Sequence, residues 1–148
     1  MIKNLFKKDP SEKVIASIEI VTLHLSGMRG SVDYEIVMKD GQAQVSQYEI
    51  RYVDHEDHRI LQKQALCETS TLLSLLNDCK LLSWDGFNGP HPKGVLDGTM
   101  FTLKATVNEG KKIYAQGSEN FPKHYRKLRD GLYNILNAEE NSTRPDNK

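Results

Sequence analysis

Two features of the chain predict an α+β fold, with an antiparallel sheet of five or six strands and two helices packed on one face. The first is a β-hairpin followed by an amphipathic helix between Thr99 and Asn137. The second is a run of alternating segments before residue 68 that leads into a leucine-rich helix. The predicted order is β-β-β-(β)-α-β-β-α. Residues 1–13 read as a polar leader, 14–138 as one α+β domain and 139–148 as a fraying, charged tail that contains Pro145.

In the first strand, Val14–Leu25, Ile18 and Ile20 share one face while Val21, Leu23 and Leu25 share the other. A switch of face within a strand predicts a bulge, or a strand covered on both sides. Gly27–Gly30 reads as a loop. Val32–Lys39 then alternates, with Tyr34, Ile36 and Met38 opposite Asp33, Glu35 and Lys39. Asp40-Gly41 suits a type I′ turn, whose two central residues need positive φ. The return strand is Gln42–Val53, with Tyr48, Ile50 and Tyr52 on one face.

After the polar turn Asp54–Asp57, the segment Arg59–Cys67 fits either a fourth strand or a short helix. Thr69 is placed to cap a helix over Ser70–Lys80, since its hydroxyl can accept from free backbone N–H groups. Leu72, Leu73, Leu75, Leu76 and Cys79 form a broad apolar face, which predicts heavy burial. The glycines and prolines of Ser83–Gly94 argue against regular structure. Phe101, Leu103, Ala105 and Val107 alternate with Thr102, Lys104 and Thr106. A two-residue turn at Glu109-Gly110 leads back through Lys111–Gln116. Pro122 suits a first helical position. From there Tyr125, Leu128, Leu132, Ile135 and Leu136 lie within an arc of about 100° at 3.6 residues per turn.

The motifs Trp84-Asp85-Gly86-Phe87, Val95-Leu96-Asp97-Gly98, Phe101-Thr102-Leu103, Tyr114-Ala115-Gln116-Gly117 and Phe121-Pro122-Lys123-His124-Tyr125 resemble a pattern found in a family of uncharacterised small bacterial proteins. The resemblance covers about the C-terminal third of the chain, and more weakly its first three strands. It implies a bacterial origin and an α+β domain, and it carries over no catalytic residue.

Composition narrows the function classes. The chain of 148 residues has twenty basic and twenty acidic side chains, so it lacks the basic bias that nucleic-acid binding requires. Residues 1–10 have no continuous apolar core of a signal peptide, and no later run reaches the length of a membrane span. The expected location is the cytoplasm. Cys67 and Cys79 are too few for a disulfide framework and read as small core groups.

His55, Glu56, Asp57 and His58 bring four possible metal ligands into one turn, without the spacing of a helical HExxH site. Asp85, Asn88 and Asp97 fall short of a calcium loop, because Phe87, Gly89 and Pro90 stand where oxygen ligands belong. Ser118 has no G-x-S-x-G context and reads as a capping residue before the last helix. No cofactor motif is present.

Candidate binding residues are Trp84 and Phe87, which could form an aromatic anchor, and Lys123, Arg126 and Lys127, a basic patch with Arg129 at its edge. The favoured reading is a non-enzymatic module that recognises another protein through the Trp84 loop or the exposed sheet face. The alternative is a small metal-assisted hydrolase, in which the His55–His58 turn converges with His24 or His91.

Overall fold

The computed structural model describes residues 14–28, 30–95 and 98–142, with side chains as far as Ala138. Residues 1–13 of the leader, Leu96 and Asp97 of the Val95–Gly98 motif, and 143–148 of the tail lie outside the described residues. The elements are β1 (Ile18–Gly27), β2 (Gly30–Lys39), β3 (Gln42–Val53), β4 (Glu56–Cys67), α1 (Thr69–Asp78), a 3₁₀ turn (Leu81–Trp84), β5 (Asn88–Gly89), β6 (Met100–Val107), β7 (Lys111–Ser118) and α2 (Tyr125–Ser142). They form an α+β fold on a mostly antiparallel sheet, in the order β4-β3-β2-β1-β6-β7-β5. None of the described helices is long and apolar enough to cross a membrane.

The sheet has seven strands among the described residues, against the five or six expected. One addition is β4, since Arg59–Cys67 settles as a strand. It pairs with β3 from Val53↔Glu56 to Ala43↔Cys67, with an irregularity beside Gln47. Asp54 and His55 make this pairing possible by taking positive φ, 54° and 67°, as a tight turn demands. The other addition is β5. Asn88 and Gly89 run parallel to Gln116 and Gly117, so the Gly/Pro-rich stretch is more regular than its composition suggests.

β1 carries a bulge, one of the two expected alternatives, but Ile18 and Ile20 do not share a face as expected, because the extra residue of the bulge lies between them. The register of β1 against β6 shifts between Ile18 and Ile20, and Ile18 and Val21 are both buried while Ile20 is exposed. Asp40 (φ 52°) and Gly41 (φ 81°) form the expected tight turn. The β6–β7 turn is longer than the predicted pair. Asn108, Glu109 and Gly110 all have positive φ, and Gly110 N–H donates to the Val107 carbonyl at 3.2 Å. Asn108 takes the extra place because its side chain is needed elsewhere. Its Oδ1 accepts from the Ala16 and Ser17 N–H groups at 2.7 and 3.2 Å, and its Nδ2 donates to the Val14 carbonyl.

Helix boundaries differ by one to five residues from the sequence expectation. Glu68, not Thr69, is the N-cap of α1, with no side-chain cap bond, and the Thr69 hydroxyl donates to the Gly41 carbonyl at 3.4 Å. Pro122 and Lys123 precede α2 and belong to the turn that aims it. At its other end α2 runs into the expected tail as far as Ser142.

Both helices cover the face that carries Val21, Leu23, Ile36, Val45, Leu103 and Ala105. α1 contributes Leu72 and Leu76, and α2 contributes Leu128, Leu132 and Leu136, all buried. The start of α2 lies against Phe101 of β6, and its later turns reach β4, where Lys63 Nζ donates to Asn137 Oδ1.

Trp84 is the largest fully buried side chain, and its indole N–H donates to the Cys79 carbonyl at 3.1 Å. Trp84→Ala is expected to cost about 3–5 kcal/mol in a urea unfolding experiment, from lost burial and the cavity left behind. At Gly117 an added methyl group would lie 2.8 Å from Phe101 Cε1 and closer still to the Asn120 carbonyl oxygen. Gly117→Ala should therefore destabilise by about 1–3 kcal/mol, since backbone cannot yield as a side chain can. Unchanged midpoints for both variants would contradict this packing.

Candidate functional site

Trp84 presents no surface to a partner, because it is only 2% exposed. Phe87 is half-buried. The loop between them folds onto β7: Gly86 N–H donates to the Tyr114 carbonyl at 2.8 Å, and Asp85 Oδ1 accepts from Tyr114 N–H at 2.9 Å. The two aromatics join Phe101, Phe121 and Tyr125 in one cluster. Phe87 and Phe101 have centroids 6.1 Å apart, Phe101 and Phe121 5.4 Å, and Phe121 stacks on Tyr125 at 4.3 Å. Trp84 completes it at 6.5 Å from Tyr125. An exposed anchor is replaced by a supporting floor, since a large apolar ring gains more from a closed core than from solvent.

Above this floor lies a cleft of about 570 Å³, between the Gly27–Gly30 end of the β1–β2 hairpin and the first turns of α2. Leu25, Val32 and Phe121 give it apolar walls, and Tyr34, Tyr125, Arg126 and Arg129 give it polar ones. The volume falls within the range of about 300–1,000 Å³ typical of ligand sites.

The basic patch expected on α2 is therefore divided. Arg126 and Arg129, three residues apart on one helix face, turn to the cleft. Lys123 sits in the turn before the helix, and the charge of Lys127 is felt by the Cys79 thiol on the α1 side. All four are exposed.

The polar side chains that line the cleft among the described residues, other than Glu119, all carry a hydrogen-bond donor. Arg126 forms no ion pair among the described residues, and Arg129 has only a loose contact with Asp130, 3.7 Å away and well exposed. Neither phenol has a hydrogen-bond partner among the described residues. Burial raises the Tyr34 pKa, against the opposing pull of the Arg129 charge. Burial likewise pushes Tyr125 up to about 12, with Arg129 opposing and Tyr34 and Glu119 adding to it. Both hydroxyls thus stay protonated near neutral pH. Glu119, the one carboxylate that lines the cleft among the described residues, accepts from Thr99 N–H at 2.6 Å.

The open sheet face differs in kind. Asp33 accepts from Arg59 Nε at 3.1 Å and lies 2.5 Å from His24 Nδ1. The Arg59 guanidinium also stacks 4.0 Å from the centre of the Tyr48 ring. Cross-strand register accounts for the array: His24 pairs with Asp33 and Asp33 with Tyr48. The array was not foreseen, because its members come from four strands. Its charges are already matched to one another.

His55 and His58 are both exposed, and His55 packs edge-on near Tyr52. His24 is held at Asp33. His91 is bonded to Ser118 Oγ at 2.7 Å and to the Val95 carbonyl, which also places Ser118 in a loop contact rather than a helix cap. The convergence that the hydrolase reading needs is not formed among the described residues, and no group of three or more His, Cys, Asp or Glu there could hold a metal.

No family model and no curated protein matches the chain, so the bacterial resemblance rests on its quoted motifs alone.

Burial raises the Cys79 thiol to about 11, with Lys127 opposing and Asp78 adding. Folded Cys79 and Tyr125 hold their protons more tightly than the unfolded chain does. Their contribution to stability is therefore complete below about pH 9 and is lost as pH rises through about 11 and then about 12. Urea midpoints should fall steadily from pH 8.5 to 11.5, and Tyr125→Phe should flatten the upper part of the decline. A midpoint that rises over this range would contradict the burial of both groups.

Proposed function

We propose that this chain is a non-enzymatic binding module that recognises a segment of another protein in the cleft between the β1–β2 hairpin end and α2. The observation that carries the reading is a set of donors, Tyr34, Tyr125, Arg126 and Arg129, that make no side-chain hydrogen bond among the described residues and stand around the ring of Phe121. Exposed guanidinium groups that no close carboxylate neutralises among the described residues attract an anionic partner and orient it, whereas the matched charges of the open face gain little from one. The cleft also needs no catalytic group to be useful. Packing against Phe121 holds the Tyr125 ring in place before binding, which limits its ordering cost on association.

Peptide display on the immobilised chain tests the reading. Wild type should enrich a common short motif. Val32→Trp, which fills the cleft from its half-buried wall, should abolish that enrichment, as should Arg126→Glu at the exposed rim. Both variants are first checked for native near-ultraviolet dichroism. Failure to enrich any motif, or enrichment that survives both variants, would sink the proposal.

A further inference from the structure

The ligand chemistry can be taken further, on the basis of the cleft reading above. We infer that the cleft captures the C-terminal carboxylate of a partner polypeptide whose last residue is apolar. Three observations converge on this class. Arg126 and Arg129 give the mouth two positive charges, and Glu119, the sole lining carboxylate among the described residues, is engaged by Thr99 N–H. The net field therefore favours an anion. Tyr34 and Tyr125 add neutral O–H donors beside the guanidinium of Arg129, whose charge acts on both. A carboxylate, with two oxygens and about four acceptor positions, matches such a set, since charged acceptors make the stronger hydrogen bonds.

Geometry selects a chain end over an acidic side chain. The cationic rim and the apolar walls, Leu25, Val32 and Phe121, share one cavity of about 570 Å³. A C-terminal residue carries its carboxylate and its side chain on the same Cα, so both fit within that space. An internal Glu or Asp presents a carboxylate at the end of its own side chain, with the nearest apolar group on another residue and a continuing backbone to accommodate at both ends. The first turn of α2 adds the positive end of its dipole at the same place. Capture of a terminal carboxylate by convergent donors is an established mode of peptide recognition.

The test is an NMR titration of the ¹⁵N-labelled full chain with four probes. These are an acetylated tetrapeptide of three alanines and a terminal leucine as the free acid, its C-terminal amide, the same amide with glutamate at its third position, and inorganic phosphate. The free acid should shift the amides of Tyr34, Thr99, Tyr125 and Arg126, and bind at least tenfold more tightly than either amidated peptide. Its affinity should fall when salt rises from 50 to 500 mM. Arg126→Ala/Arg129→Ala should remove the preference for the acid while distant amide positions stay unchanged. Equal binding of acid and amide at these residues would overturn the carboxylate assignment and leave the cleft as the binding site. Tighter binding of the glutamate peptide, or of phosphate alone, would overturn the chain-end assignment. Shifts confined to other regions with all four probes would overturn the cleft reading itself.

Discussion

The packing of Phe101 at the centre of an aromatic cluster is the constraint on which the working end of this molecule depends. Phe101 stands on β6, fully buried, and meets rings from the Trp84–Phe87 loop, from the turn before α2 and from the first residue of α2. Each ring arrives on a different stretch of chain. Burying them together supplies the free energy that holds an irregular loop, a proline-containing turn and a helix start in one arrangement, since each large side chain contributes roughly 1.5–3 kcal/mol. Gly117 allows the approach, because its missing side chain leaves room for Phe101 and the Asn120 backbone.

The cleft follows from that arrangement. With the start of α2 pinned to Phe101, Arg126 and Arg129 stand beside the open end of the β1–β2 hairpin, and the phenols of Tyr34 and Tyr125 come close enough to influence one another. Burial raises both phenols further above their ordinary range, so they remain donors into more alkaline solution than free tyrosine does. A stability element and a recognition element thus share one cause. On the opposite face of the sheet, the Asp33 carboxylate pairs with Arg59 and accepts the contact of His24, so its charge is already matched within the protein.

Two devices manage the sheet's margins. The outer edge strand β4 is rich in polar and charged residues and carries an irregularity beside Gln47, both of which discourage edge-to-edge pairing. At the other edge β5 is only two residues long. The start of the described chain is fastened by two asparagines. Asn77 of α1 exchanges two hydrogen bonds with the Ile15 backbone, and Asn108 of the β6–β7 turn holds residues Val14–Ser17. Neither asparagine stands out in the sequence, because its importance lies in a partner more than sixty residues away.

The sequence by itself determined what depends on neighbours along the chain. Period-two alternation placed β2 and β6, the interrupted alternation of β1 signalled a bulge without locating it between Ile18 and Ile20, Asp40-Gly41 placed a turn, and the 3.6-residue period of the leucines placed both helices. Each signal is local, and local sterics enforce it. That Arg59–Cys67 is a strand depends on the partner that β3 offers, and that Trp84 is core depends on the four stretches of chain whose five aromatic rings meet there. Arg126 was legible as a surface cation. Its grouping with Arg129, Tyr34 and Tyr125 was not, since Tyr34 lies on β2, roughly ninety residues before the helix. Which side chains face one another across a fold is set by strand register and helix docking, and no spacing within the chain records it.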